Sequence, residues 1–489
     1  MARLRAVFAV AVLCAAALSF DATTWTAPVS AATTGPCDIY AAGGTPCIAA
    51  HSTTRALYGS YAGKLYQVRR SSDNTTRDVT VLTAGGTADA SLQDTFCAAT
   101  TCVITVVYDQ SGRGNDLWYQ GSTVVPGSSQ SRPAIATSES LKVGGNKAWS
   151  LYINPGNSYW RDGHLTGVPT GAQPEGMYMV TSGTHVNSGC CFDYGNSETT
   201  RSADAAGAMD AINFSTQCWF GGCQGTGPWV QADLEWGLFP GGSQQWNPNQ
   251  RAFPNRFVTA MLKNNGTTRF ALKGSDAQAG TLTTLWDGAL PNGYSPMKKQ
   301  GAIILGSGGD CCKPGGGANL SAGTFYEGAM VAGYPSDATE NAVQANIVAA
   351  GYAPEAPAPG GAVRAVGAGK CLDVAGGSTA LGAAVQIWDC QGTPGQTWAR
   401  TASGELTVFS GGTLRCLDAY GAGTSAGTRV VTWSCNGQAN QRWTVNADGT
   451  IRGVQSGLCL DVANASTANG AAVHLWTCHG GANQRWSVS

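Results

Sequence analysis

Cys459-Leu460-Asp461-Val462, followed by Leu475-Trp476-Thr477-Cys478 and Gln484-Arg485-Trp486, is the third copy of one pattern. The first copy reads Cys371-Leu372-Asp373-Val374, Ile387-Trp388-Asp389-Cys390 and Gln396-Thr397-Trp398. The second reads Cys416-Leu417-Asp418-Ala419, Thr432-Trp433-Ser434-Cys435 and Gln441-Arg442-Trp443. The two cysteines of each copy are 19 positions apart, and the copies recur after 45 and then 43 residues. Units this short cannot each bury a core, so three of them predict a closed array around one shared core. An internal disulfide in each unit closes a loop of about 20 residues and contributes roughly 3 kcal/mol. Trp398, Trp443 and Trp486 are assigned to that core.

Upstream, Ala353 to Gly361 reads APEAPAPGG, a semi-rigid extended spacer by its prolines. The expected organisation is therefore a leader at 1–31, a large domain at 35–352, a linker at 353–361 and the repeat domain at 362–489. The leader reads as a secretory signal peptide. Arg3 and Arg5 precede an apolar run from Ala6 to Leu18, and Val29-Ser30-Ala31 offers a small-residue cleavage site. The apolar run is too short for an ordinary membrane span. With 12% charged residues and a net charge of −1, the chain has no basic field for nucleic acid.

Short apolar runs at 103–108, 177–180 and 302–305 are bounded by Gly, Ser, Asn and Asp, and few stretches hold a helical period, 339–349 best. This predicts an all-β chain with a β-sandwich as its large domain. Of 17 cysteines, Cys14 falls in the leader, leaving an even 16 for an extracellular disulfide framework. Cys37 with Cys47, Cys97 with Cys102, and Cys218 with Cys223 have loop-closing spacings. No CxxC pairs with a second one, so no zinc site is expected. Cys190 and Cys191 are adjacent. Trans neighbours have Cα atoms about 3.8 Å apart, below the usual disulfide range of about 4.4–6.8 Å, so the residues alone favour separate partners.

Two segments can place carboxyl groups for work on a sugar. In Gln231-Ala232-Asp233-Leu234-Glu235-Trp236-Gly237-Leu238-Phe239, read as a strand, Asp233 and Glu235 share one face and Leu234 and Trp236 the other. In Ile303-Ile304-Leu305-Gly306-Ser307-Gly308-Gly309-Asp310, an apolar strand enters a glycine turn that presents Asp310. By pattern alone, a solvated face and ordinary turn chemistry explain the same acids.

The large domain resembles the arabinofuranosidase B catalytic domains of glycoside hydrolase family 54. The resemblance rests on 35–40 (GPCDIY), 49–57 (AAHSTTRAL), 108–115 (YDQSGRGN), 190–196 (CCFDYGN), 301–306 (GAIILG) and 323–328 (GTFYEG). It implies a concanavalin-like β-sandwich and a retaining double displacement without cofactor or metal. It implies Glu235 as nucleophile, Asp310 as acid/base, and carboxyl groups about 5–5.5 Å apart. It implies sugar contacts from Asp233, Trp219, Gly309 and a vicinal Cys190–Cys191 disulfide. With that pair assigned, Cys311 and Cys312 are left for each other. Trp236 and Gly237 stand where the family pattern has two Asn, so the hydrogen bonds of those amides are missing here, and Trp236 is itself expected among the substrate-binding residues.

The repeats resemble the ricin-type lectin family, whose Gln-x-Trp units build a β-trefoil. The resemblance implies sugar sites made of the Asp after Cys-Leu, the aromatic before the second Cys and polar residues beyond it. These are Asp461, Trp476, His479 and Asn483 in the third unit, and Asp418, Trp433, Asn436 and Asn440 in the second. The first unit has Asp373, Trp388 and Gln391, with Gly395 where the others carry Asn. A carboxylate that accepts sugar hydroxyls beneath an aromatic face suits this chemistry. The internal pairs are Cys371–Cys390, Cys416–Cys435 and Cys459–Cys478.

Gly423 to Gly427 matches a nucleophile-elbow pattern but lies inside a repeat. His51, His164 and His185 are assigned structural or surface roles, and 108–115 a tight turn. The expected function is a secreted, monomeric, exo-acting α-L-arabinofuranosidase acting on arabinoxylan or arabinan. The alternatives are a β-xylosidase or galactofuranosidase, and a two-domain lectin without catalysis.

Overall fold

The apolar runs become strands because each alternates between a buried sheet face and its opposite. In the computed structural model, residues 34–98, 100–120, 132–311, 319–354, 360–401, 404–409, 414–436, 438–446 and 448–488 are described. The expected leader at 1–31 with Cys14, the expected linker residues 355–359, and Cys312 lie outside the described residues.

Five strands carry the polar side of one sheet: β1 (Asp193–Ser197), β2 (Asp210–Ser215), β3 (Trp229–Asp233), β4 (Leu238–Phe239) and β5 (Ala302–Leu305). They lie in the order β4-β3-β2-β1-β5, and the sheet continues through Tyr159–Asp162, Leu117–Tyr119, Cys102–Val107, Lys64–Arg70 and Thr76–Thr80. A second sheet runs Cys47–Ser52, Gly323–Ala332, Glu175–Val186, Val258–Asn264, Arg269–Asp276 and Thr283–Ala289, with Leu151–Ile153 added against Gly323–Ala332. Antiparallel pairing joins the neighbours of β1 to β5. The helical period at 339–349 is realised as an α-helix over Asp337–Ala349, capped by the Ser336 side chain on the Thr339 amide.

The register explains where the site sits. Asp193 pairs with Asn213, Asn213 with Gln231, and Ala211 with Asp233. With a two-residue period, the intervening side chains face the other way. Tyr194, Ile212, Phe214, Val230, Ala232, Ile303 and Leu305 enter a core with Met177, Met179, Val258, Ala260 and Leu262 of the second sheet. Each large apolar side chain buried there contributes about 1.5–3 kcal/mol. The opposite face carries Asp193, Asn213, Gln231 and Asp233, all buried polar groups.

The three repeats form a β-trefoil. Val363–Ala365 pairs with Trp486–Val488 and closes the ring. Its core gathers Leu372, Leu417 and Leu460 with Trp398, Trp443 and Trp486. Each indole N–H donates to the carbonyl of the leucine in its own repeat, at 2.9, 3.0 and 3.0 Å. The Cys371–Cys390, Cys416–Cys435 and Cys459–Cys478 disulfides recur in the same place. The Cys37–Cys47, Cys97–Cys102 and Cys218–Cys223 bonds close short loops in the sandwich.

Candidate active site

The segment 231–239 is not one strand. β3 stops at Asp233 and β4 returns, with Asp233 opposite Leu238 and Ala232 opposite Phe239. Leu234 N–H donates to the Gly237 carbonyl at 3.2 Å. Glu235 (φ 62°) and Trp236 (φ 57°) are the two central residues of the hairpin turn. Positive φ at both positions matches the right-handed twist of the flanking strands, at a cost for residues bearing a Cβ. The expected alternation therefore fails beyond Leu234. Leu234 enters the core, whereas Trp236 is 59% exposed instead of packing beside it.

Three contacts hold the turn. Asp233 Oδ1 accepts the Glu235 amide at 3.1 Å. The Tyr294 hydroxyl donates to the Glu235 carbonyl at 2.9 Å. The Trp236 indole N–H donates to the Ala203 carbonyl at 3.1 Å. A side chain at position 237 would run into Phe239 and the Tyr294 hydroxyl. Glycine at this position follows from that crowding.

Asp310 arrives from β5. Gly306 (φ 84°) bends the chain, its amide donating to the Asp193 carbonyl at 2.9 Å, and Cys311 N–H closes the turn on Gly308 O at 3.1 Å. A Cβ on Gly308 would lie 3.6 Å from Asp310 Oδ1, 3.8 Å from the Cys191 Cβ and 3.9 Å from Asp193 Oδ2. The glycine turn thus brings Asp310 to the mouth of β1. At Gly309, the space a Cβ would need is filled by the Glu198 carboxyl.

Cys190 and Cys191 are joined to each other across a cis peptide, with Cα atoms 3.0 Å apart. The trans spacing that favoured separate partners does not apply. Cys311 is also disulfide-bonded, and its expected partner lies outside the described residues. Cys191 Sγ and one carboxyl oxygen each of Asp193 and Asp233 lie within 4.8 Å of one another. This trio is a poor metal cage, because a sulfur held in a disulfide is no thiolate.

Asp193 and Glu198 join the site without any motif in the sequence that marks them. Burial first, then the Asp233 charge, pushes the Asp193 carboxyl well above the carboxylate range. Burial, then the hydrogen bond and charge of Glu235, pushes Glu198 up to about 10. Burial, then the Glu235 charge, pushes Asp233 up to about 7. Asp193 also accepts from the Asn213 amide at 2.7 Å. Both shifts favour the neutral acid, and each of these carboxyls has another carboxyl as its neighbour, Asp233 for Asp193 and Glu235 for Glu198.

Trp219 is 47% exposed on the loop closed by Cys218–Cys223. The loop is tied to the sheet by Gln231, whose side-chain amide donates to the Gln217 carbonyl at 3.0 Å. His51 is buried between the Tyr194 hydroxyl and the Asn115 carbonyl. His185 stacks on Tyr152, and His164 pairs with Asp162. Asp109 gathers the amides of Ala50, Ser111 and Asn115, which makes 108–115 a turn.

In the trefoil, Asp461 Oδ2 accepts from Asn483 and Gln484 at 2.8 Å each, and Asp461 Oδ1 meets His474 Nε2 at 3.1 Å. His479 Nε2 lies 3.6 Å from the same carboxylate. Asp418 accepts from Asn440 at 3.0 Å and Gln441 at 2.8 Å, while the Asn436 side chain is engaged with the Gln438 amide. Asp373 meets Gln386 at 2.8 Å. Gln386 and His474 occupy equivalent places opposite the site carboxylates, where the second repeat has Val431. Trp388 and Trp476 stay part-exposed, and Trp433 lies edge-on to Tyr420. Gly423 to Gly427 is a surface turn in which the Ser425 carbonyl accepts from Thr428.

Residues 36–353 match the family described as "Alpha-L-arabinofuranosidase B, catalytic", and residues 359–486 match the "Ricin-type beta-trefoil lectin domain". Alpha-L-arabinofuranosidase B of Emericella nidulans is 52% identical over 331 residues, covering 65% of this chain and 62% of its own length. The Aspergillus oryzae protein of that name is 49% identical over 345 residues, covering 70% and 66%. The chain thus spans less than two thirds of the length of these curated relatives. A crystal structure of an arabinofuranosidase with arabinofuranosyl-alpha-1,2-xylobiose aligns with a TM-score of 0.66 and 34% identity, over 93% of this chain and 99% of that one. A GH54 α-L-arabinofuranosidase soaked with a cyclic sulfate inhibitor aligns equally well, at 35% identity.

Proposed function

Because the chain belongs to the family of alpha-L-arabinofuranosidase B catalytic domains, we propose that it is an exo-acting α-L-arabinofuranosidase that removes terminal arabinofuranose from plant polysaccharides with retention of configuration. The observation that carries this reading is the meeting of the Glu235 hairpin and the Asp310 turn beside Asp233 and the Cys190–Cys191 disulfide, on the polar face of β1 to β3. Asp310 donates its proton to the glycosidic oxygen as a Glu235 oxygen attacks the anomeric carbon. The aglycone leaves as an alcohol and an arabinosyl ester remains on Glu235. Asp310 then takes a proton from water, which attacks the same carbon and frees Glu235. Asp233, the disulfide, Gly309 and Trp219 contact the sugar.

The trefoil holds the enzyme on its polymer, chiefly through the third site, where Asp461 has the fullest polar surround. Arabinoxylan and arabinan are the expected polymers, and a monomer is the expected state. An even cysteine framework fits an exported protein, and no helix among the described residues is long and apolar enough to cross a membrane.

The test is hydrolysis of p-nitrophenyl α-L-arabinofuranoside beside the β-xyloside and β-galactofuranoside, with Glu235→Gln and Asp310→Asn. Arabinoside hydrolysis that collapses in both variants supports the reading. Preference for another glycoside would favour the alternatives, as Trp236 and Gly237 replace two amides.

A further inference from the structure

Glu198 has no task in that mechanism, yet it is built into the site. It follows β1, is 0% exposed, and its Oε2 takes the space that a side chain at position 309 would need. Neither carboxyl oxygen has a nitrogen or hydroxyl donor from another side chain among the described residues. Its hydrogen-bond partner is the carboxyl of Glu235. The nearest cation in sequence, Arg201, lies over the Trp160 ring at 3.9 Å. The charges that act on Glu198 are those of Glu235 and Asp233, and Asp193 and Asp310 lie against Asp233 in turn.

An isolated carboxylate is not stable in such a place, and two carboxylates in hydrogen-bond contact share a proton. Burial favours the proton on Glu198, since Glu235 is the more open of the two.

We propose that Glu198 is a positioning residue for Glu235: as the neutral acid it donates a hydrogen bond to the Glu235 carboxylate, fixes the attacking oxygen, and keeps a single negative charge on the pair. This rests on Glu235 being the nucleophile. A donor to an anion stabilises it, so the bond restricts the rotation of the Glu235 carboxylate. Loss of the Glu198 proton at high pH would place two like charges together and end the alignment. Burial and Glu235 hold that loss off until about 10.

Two readouts on the full chain test this. Infrared difference spectra between wild type and variant at neutral pH read the carbonyl stretch of protonated carboxyls without needing activity. A protonated-carboxyl band present in the wild type and lost in Glu198→Gln is expected, and a band set unchanged by that variant overturns the proposal. The second readout is the kinetics of arabinoside hydrolysis. Glu198→Gln still donates and should keep kcat within about three-fold. Glu198→Ala should lose about 100-fold in kcat with little change in KM, as misplaced reacting groups do. Equal losses in the two variants, or a loss in Glu198→Ala that falls on KM, contradict the proposal. A wild type silent on every glycoside would sink the arabinofuranosidase reading, and the infrared result would still decide the proton on Glu198.

Discussion

The amide of Glu235 donates to the side chain of Asp233, two residues earlier, at 3.1 Å. That bond ends strand β3 and starts the turn that swings Glu235 out of the sheet plane. Asp233 itself is buried against Asp193. One carboxyl therefore links the sheet's polar face to the turn.

Asp233→Ala should lose both roles. It leaves the Glu235 amide without its partner and Asp193 with the Asn213 amide alone, a loss of about 1–3 kcal/mol, readable by chemical denaturation. Activity should fall at least as far as in Glu198→Ala. An Asp233→Ala protein as stable as the wild type would show that the turn does not depend on this bond.

Trp236 sits at φ 57° with little packing. Asn keeps a Cβ but accepts the left-handed region more readily because its short amide bonds locally, a gain of up to about 1 kcal/mol. Trp236→Asn should keep or raise stability despite losing the indole bond to Ala203, and should lower KM for the arabinoside by restoring an amide at the turn. A destabilisation above that figure would mean that the indole holds the loop.

Stability should decline as the solution becomes alkaline. Glu198, Glu175 and Asp233 have native values raised to about 10, 8 and 7, so the folded state binds more protons than the unfolded chain above the ordinary carboxyl range. Their contribution is complete at acid pH and is lost as pH climbs through those values. Burial and the Arg442 charge lower His185 to about 3, which opposes folding stability only below the ordinary imidazole value. From about pH 6.5 to 9 the carboxyls act alone, and the melting temperature should drop steadily. A flat or rising melting temperature over that window would refute the protonated cluster.

In the trefoil, Asp461→Ala should weaken retention on insoluble polysaccharide several-fold while leaving hydrolysis of the small arabinoside untouched. Asp373→Ala should do little, because Gly395 offers no amide there. The reverse ranking would place the working site in the first repeat. Trp443→Ala, by contrast, opens the shared core and removes the bond to Leu417. It should cost about 3–5 kcal/mol, seen as a lower denaturant midpoint for the trefoil.

The trefoil was legible because its repeat fixes cysteine, carboxylate and indole positions at once, and the structure shows each indole on its own leucine carbonyl. The sandwich was legible as short alternating strands. The Glu235 hairpin was not. Asp233-Leu234-Glu235-Trp236 alternates like a strand, and two residues with side chains replace the Asn-Gly that advertises such a turn. Asp193 and Glu198 were invisible for another reason. Their partners, Asp233 and Glu235, come from β3 and its turn, and only the register of β1, β2 and β3 brings them together. The cis peptide at Cys190–Cys191 likewise leaves no mark in composition.

The most direct test of the central claim is to trap the reaction on the protein. The wild type is mixed with an activated aryl α-L-arabinofuranoside, quenched in acid within milliseconds, digested, and the peptides are read by mass spectrometry. The account predicts an arabinosyl ester on the peptide carrying Glu235, enriched when Asp310→Asn slows the second step. A productive enzyme that never carries sugar on Glu235, or carries it on another residue, would contradict it.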